Sequence, residues 1–170
     1  GTLNYTISDN RSWLSTSPTI GSSTGESDKI YVYANHGSLS PGTYTGTISI
    51  SSNAGSDSIS VSMEVPDPDP EAYRHSPTSS SITLAYGTNQ SFTVRGEDDG
   101  GDLDEVVWTL SGPESHTDTD GLGGPSDTAN FTDWGGYTFD TAGDYTLRAR
   151  VYDDSGDYDD ATWSIHVNDP

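Results

Sequence analysis

The chain has no cysteine, a single methionine and a single lysine, Lys29. Without cysteine there is no disulfide framework and no thiolate metal site, so packing alone must hold the fold. Apolar residues are also scarce: 29% of 170 positions, against about 45–50% in ordinary globular chains. No apolar run approaches the ~20 residues of a membrane-spanning helix. No segment keeps a 3.6-residue apolar period over ten or more positions, so helices are not expected. Positive charge is the last shortage. Six Lys and Arg face 27 Asp and Glu, a net charge of −21, with Asp supplying most of the acid. Such a surface repels phosphate backbones and anionic headgroups, which excludes nucleic acid and membrane insertion as partners. It also repels itself. High salt relieves that, because screening shortens to about 3 Å near 1 M, and so do divalent cations. The balance points to a saline or calcium-rich extracellular setting, with selection for solubility alone as the alternative.

What is present is β-forming. Aromatics make up 10% of the chain, too many for a disordered composition. Apolar residues alternate with polar ones in run after run. Ile30, Val32 and Ala34 form one set, Tyr44, Gly46, Ile48 and Ile50 a second, and Ile59, Val61, Met63 and Val65 a third. The sequence Pro66-Asp67-Pro68-Asp69-Pro70 interrupts them. Three prolines at every second position cannot join a sheet ladder, and they hold the chain extended. The alternation then resumes at Ile82 and Leu84, at Phe92 and Val94, and at Val106, Trp108 and Leu110. It continues at Tyr145, Leu147, Ala149 and Val151, and ends at Trp163, Ile165 and Val167. The expected fold is all-β: two tandem immunoglobulin-like β-sandwich domains over 1–65 and 76–170, joined by a Pro/Asp-rich linker over 66–75. The segments PGTYTGTISI (41–50) and AGDYTLRARV (142–151) echo each other. Each sets a tyrosine two residues after a turn glycine, where a sandwich uses the hydroxyl to close a corner. The opening residues read as strand, so the chain is expected to be an excised or processed piece of a larger secreted or cell-surface protein.

The segments SDNRSWLSTSPTIGSSTGE (8–26), IYVYAN (30–35) and LSPGTYTGTISISSNAGSDSISVSMEV (39–65) resemble the BACON domain, a β-sandwich module. The segments EDDGGDLDEVVWTL (97–110) and YTFDTAGDYTLRARVYDDSGDYDDATWSIHV (137–167) resemble a PKD-type domain. There the family's usual W-D-F-G-D-G reads Trp108-Thr109-Leu110-Ser111-Gly112-Pro113. Both resemblances imply accessory modules of multidomain extracellular proteins, found alongside hydrolases, proteases, adhesins and surface-layer proteins. The BACON resemblance also implies glycan binding.

Acidic loops are the leading site candidates. One cluster contains Asp98, Asp99, Asp102 and Asp104; the other contains Asp153, Asp154, Asp157 and Asp159. In an immunoglobulin-like sandwich they fall in the second-to-third and sixth-to-seventh strand loops, which share one end of the fold. Asp67, Asp69 and Glu71 are expected nearby. Calcium takes six to eight oxygens, and clustered carboxylates on glycine-permitted turns supply them. No EF-hand pattern is present. The competing reading is that Asp and Gly merely form solvated turns.

Other chemistry is thin. Gly21-Ser22-Ser23-Thr24-Gly25 spells G-x-S-x-G, but that motif works only as a strand-to-helix elbow. His36, His75, His116 and His166 are scattered without zinc spacing. No nucleophile–base pair is readable, and a glycosidase needs a cleft that thin modules lack. Trp13, Trp108 and Trp163 fall at core positions of the alternation. Trp134, Tyr137, Tyr31 and Tyr33 are the candidates for stacking on sugar rings. Asn4, Asn10, Asn89 and Asn130 open N-x-[ST] sequons, as suits a secreted chain. Three non-catalytic functions follow: a structural or adhesive spacer stiffened by calcium, a carbohydrate-binding accessory module, and a subunit of an extracellular filament or surface layer. The expected partners are other domains of the parent protein, glycans or like subunits.

Overall fold

A computed structural model describes residues 1–132 and 135–170, and all regular structure among them is β. The chain divides into two compact units, Gly1–Asp67 and Pro68–Pro170.

The first unit holds six strands: β1 (Leu3–Asp9), β2 (Leu14–Ser17), β3 (Ile20–Ser23), β4 (Tyr31–Ala34), β5 (Gly42–Ser52) and β6 (Gly55–Val65). Four of them form an antiparallel sheet in the order β3-β1-β5-β6, while β2 and β4 pair separately. Strands β5 and β6 form a hairpin closed by the Ser52–Gly55 pair across a two-residue turn. Ile7 and Ile48 from the sheet meet Trp13 and Leu14, and these four are the buried centre of the unit's core cluster. Gly46 makes that meeting possible, because a Cβ there would stand 3.1 Å from Leu14 and 3.2 Å from Trp13. The alternation in this unit is only partly realised. Val32 and Ile59, expected inward, are both exposed. Strand β4 has β2 as its sheet partner and no residue of its own in the buried core, so neither of its faces is covered.

The second unit opens earlier than its sequence indicates. Residues 71–75, read as linker, belong to β7 (Glu71–Ser76), which pairs with β10 (Thr93–Glu97). Of the linker, residues 66–70 stay outside a ladder. The remaining strands are β8 (Ser81–Leu84), β9 (Thr88–Gln90), β11 (Leu103–Ser111), β12 (His116–Gly121), β13 (Ser126–Asn130), β14 (Tyr137–Phe139), β15 (Gly143–Asp153) and β16 (Tyr158–Val167). They form sheets in the orders β13-β10-β7, β12-β11-β15-β16-β8 and β14-β9. The core between them is large and aromatic. Trp108 and Trp163 stack at 6.0 Å, and Phe92 meets Trp163 edge-on at 5.5 Å. Both buried indoles keep a partner: Trp108 donates to Asp120 Oδ2 and Trp163 to the Pro77 carbonyl, as buried N–H groups must. The three indoles expected inside are all buried.

Tyr44 donates to the Ser40 carbonyl and Tyr145 to the Thr141 carbonyl, each at 2.8 Å and each four residues upstream. These are corner tyrosines of a sandwich, one in each unit.

One pairing is parallel. Ser81–Leu84 of β8 run alongside Ser164–Val167 of β16. The unit's early strand and its last strand are therefore fastened side by side.

Candidate functional site

The acidic end of the second unit is built from the loop between β10 and β11 and the loop between β15 and β16. After Glu97 the chain turns through residues 98–102, with Gly101 at a φ of +84°. Asp98 organises this turn. Its N–H donates to the Pro125 carbonyl at 3.0 Å, and its Oδ1 accepts from Gly100 N–H at 2.6 Å. Asp98 is only 3% exposed, and its Oδ2 is buried with no hydrogen-bond partner. Asp153 repeats the pattern in the second loop at 2% exposure. Its Oδ1 accepts from Ser155 Oγ and Asp157 N–H, while Oδ2 is buried without a partner. Asp154 N–H donates to the Asp102 carbonyl at 3.0 Å, which ties the two loops together. The sequence clusters thus share one end of the unit.

Within that end the eight acidic candidates divide. Asp98 and Asp99 line a concavity of about 180 Å³ together with Pro68, Asp69, Glu71 and Glu97. Asp102 and Asp154 each bring a carboxylate oxygen within 4.8 Å of the other. Asp157 accepts from Ser155 Oγ, and Asp159 accepts from Ala72 N–H at 3.0 Å. Asp104 stands exposed on β11. Sequence reasoning set Glu97 in the first acidic cluster and expected Glu71 nearby, but it missed how the two meet. Glu71 and Glu97 are directly opposed in the β7–β10 ladder, an arrangement that like charges destabilise. Each has one compensating neighbour: Arg95 pairs with Glu97, and the Tyr73 hydroxyl donates to Glu71. The hydrogen bond to Glu71 holds the Tyr73 hydroxyl above its ordinary pKa.

A second polar cluster was not foreseen. Glu114 accepts from Thr141 Oγ1 at 2.6 Å and from the Tyr137 hydroxyl at 3.0 Å. The Thr141 bond, with the Tyr137 bond, lowers the carboxyl's pKa. Burial, aided by Glu114, pushes the Tyr137 hydroxyl up to about 12. Tyr137 is half-buried against Phe139 at 4.9 Å and Phe131 at 5.7 Å. Part of its surface is therefore packed against the core. Trp134 lies outside the described residues. Arg150 and Asp160, paired across β15 and β16, form a two-bond salt bridge at 2.8 and 2.9 Å beneath the Tyr158 ring. The Arg150 bonds hold the Asp160 carboxyl below its ordinary range.

Tyr31 and Tyr33 do present an open aromatic surface. They are 51% and 54% exposed, sit two residues apart on β4, and stack at 6.5 Å with an interplanar angle of 25°. Lys29 Nζ lies 5.1 Å from the Tyr31 ring centroid. The G-x-S-x-G segment is the end of β3 and the bend that follows it, and Ser23 Oγ donates to the Glu26 carbonyl. His166 contacts Asp144 at 2.7 Å on an exposed surface.

Among solved structures, the chain is similar over 97% of its length to domains 4 and 5 of the S-layer protein SbsC, with 15% identity, 70% of that chain covered and a TM-score of 0.38. It is similar over 96% of its length to SGBP-B of the Bacteroides ovatus mixed-linkage glucan utilization locus, solved with a mixed-linkage heptasaccharide. There the identity is 12%, with 60% of that chain covered and a TM-score of 0.22. No curated protein matches the chain. Residues 1–64, nearly the whole first unit, match the family model of the viral BACON domain.

Proposed function

We propose that this chain is a non-catalytic spacer of a secreted or cell-surface protein and that its second unit bears tension. The carrying observation is the parallel pairing of β8 with β16. The chain enters the unit beside the start of β16, where Ala72 N–H bonds Asp159. It leaves at the far end of β16, where Val167 pairs with Gly143. Pulling on the two ends draws β8 and β16 lengthwise in opposite directions. The evenly spaced bonds of a parallel ladder then take the load together instead of parting one by one. Arg74 adds a brace, donating to the Thr162 and Thr78 carbonyls. The acidic surface and the aromatic core suit a soluble extracellular module. Single-molecule stretching tests the reading. The expected result is one abrupt rupture of the second unit; gradual extension at low force would defeat it.

A carbohydrate-binding role is the second reading, supported by Tyr31 and Tyr33. Their rings offer adjacent apolar faces beside a cationic Lys29, which suits the C–H faces of sugars. Because both are exposed, Tyr31→Ala and Tyr33→Ala should change stability by no more than about 0.5 kcal/mol. On a glycan array, the expected outcome is binding by the native chain that both variants lose. An array on which the native chain binds nothing removes this reading.

A further inference from the structure

We infer that the concavity lined by Asp69, Glu71, Glu97, Asp98 and Asp99 is a divalent-cation site of calcium type, with Asp98 as its anchoring ligand. Three observations converge there. Asp98 is 3% exposed and its Oδ2 has no hydrogen-bond donor. A buried carboxylate oxygen in that state calls for a cation, a proton or a water, and four further carboxyl groups around the same concavity favour the cation. Glu71 and Glu97 stand opposite each other across the ladder, where Arg95 pairs with Glu97 and the neutral Tyr73 hydroxyl donates to Glu71. The concavity is also the right size: about 180 Å³, walled by five carboxyl groups and one proline.

The donor set selects the ion. All five acidic groups offer hard oxygen and none offers nitrogen or sulfur, which favours calcium or magnesium over zinc or copper. The carboxylates come from the segment before β7, from β7 itself, from the end of β10 and from a turn, with Asp69, Glu71 and Asp99 exposed. Calcium tolerates such an irregular shell of six to eight oxygens at about 2.3–2.6 Å, whereas magnesium demands a near-ideal octahedron. Waters complete the sphere. The bound ion would tie the strand at which the chain enters the unit to the β10–β11 turn. This inference uses groups of the second unit alone and stands or falls apart from the tension-bearing role.

The test is titration of the EDTA-treated full chain with CaCl₂. The site predicts a heat of binding with a Kd of about 10⁻⁴ M or tighter, in the range of extracellular modules. Calcium at about a hundred times Kd should raise the second unit's melting temperature by on the order of 10 °C. Asp98→Asn should weaken binding at least tenfold. Should that variant fail to fold, Asp69→Asn with Glu71→Gln, both exposed positions, should weaken it by a similar factor. Tyr73, hydrogen-bonded to Glu71, supplies a location check. Terbium bound in the concavity should emit on tyrosine excitation, and Tyr73→Phe should remove most of that emission while leaving the calcium heat. The inference is overturned if calcium gives neither heat nor a melting shift. It is equally overturned by native affinity in the Asp69→Asn, Glu71→Gln variant, or by native emission from Tyr73→Phe.

Discussion

At the scale of single residues, local spacing was the readable signal. Tyr44 and Tyr145 were legible as corners because each follows a turn glycine at fixed distance and opens a long strand, and the acceptor lies only four residues away. Glu114 was not legible. Its two donors, Thr141 and Tyr137, lie 27 and 23 residues further on, and only the folded sheets bring them to it. The packing of Tyr137 was not legible either, since its neighbours Phe131 and His116 meet it only in the fold. This cluster sets a pH dependence at both ends. The Glu114 carboxyl is held below its usual 4.5, so its stabilising contribution is present above that value and is lost as pH falls through the lowered one. The Tyr137 hydroxyl is raised from 10 to about 12, so its contribution is full below about pH 10 and is lost between roughly 10 and 12. Urea denaturation across pH provides the check. The stability gap between the native chain and Glu114→Gln should narrow below pH 4.5, and the gap to Tyr137→Phe should narrow above pH 10. Gaps independent of pH would show that these groups are not coupled to folding.

Elements were legible as strands but not as neighbours. The alternation at Ile82 and Leu84 and at Trp163, Ile165 and Val167 marks two half-buried strands, as found. Nothing in either run shows that they pair, or that they pair in parallel, because the partners lie over 80 positions apart. Strand β7 was missed because Asp/Pro spacing outweighed the short run Ala72-Tyr73, and with it went Glu71's place opposite Glu97. The reading that both acidic loops share one end rested on the strand order of an immunoglobulin-like sandwich. In the first unit, Val32 and Ile59 show where alternation overreaches: an apolar residue on a strand is buried only if another layer covers it. The β8–β16 ladder makes a prediction at this scale. The bonds from Ser164 N–H to the Ser80 carbonyl and from Asn168 N–H to the Leu84 carbonyl fix the ladder's phase, which assigns Ile82 N–H as a donor to β16. Ile82→Pro removes that donor and leaves an acceptor unmatched. It should cost about 1–3 kcal/mol more than Ile82→Ala, which removes packing alone. Equal losses in chemical denaturation would mean that the ladder contributes little.

For the whole molecule, composition and topology bear on the same function. A charge of −21 is carried on a chain that is 29% apolar, and that apolar material is gathered into two cores. The larger core, with Trp108, Trp163 and three buried phenylalanines, lies in the unit whose early and last strands are paired in parallel. Fold class was legible from composition and period alone; mechanical direction was not, because it depends on where the chain enters and leaves. The most direct measurement is force spectroscopy of the second unit within the full chain, pulled in two geometries. Pulling through residues 68 and 170 loads β8 and β16 in shear. Pulling through attachment points at Glu105 and Gly121, directly opposed at the open end of the β11–β12 pair, peels that edge strand bond by bond instead. The account predicts a rupture force at least severalfold higher in the first geometry, reduced toward the second by Ile82→Pro. Equal forces in the two geometries would contradict it.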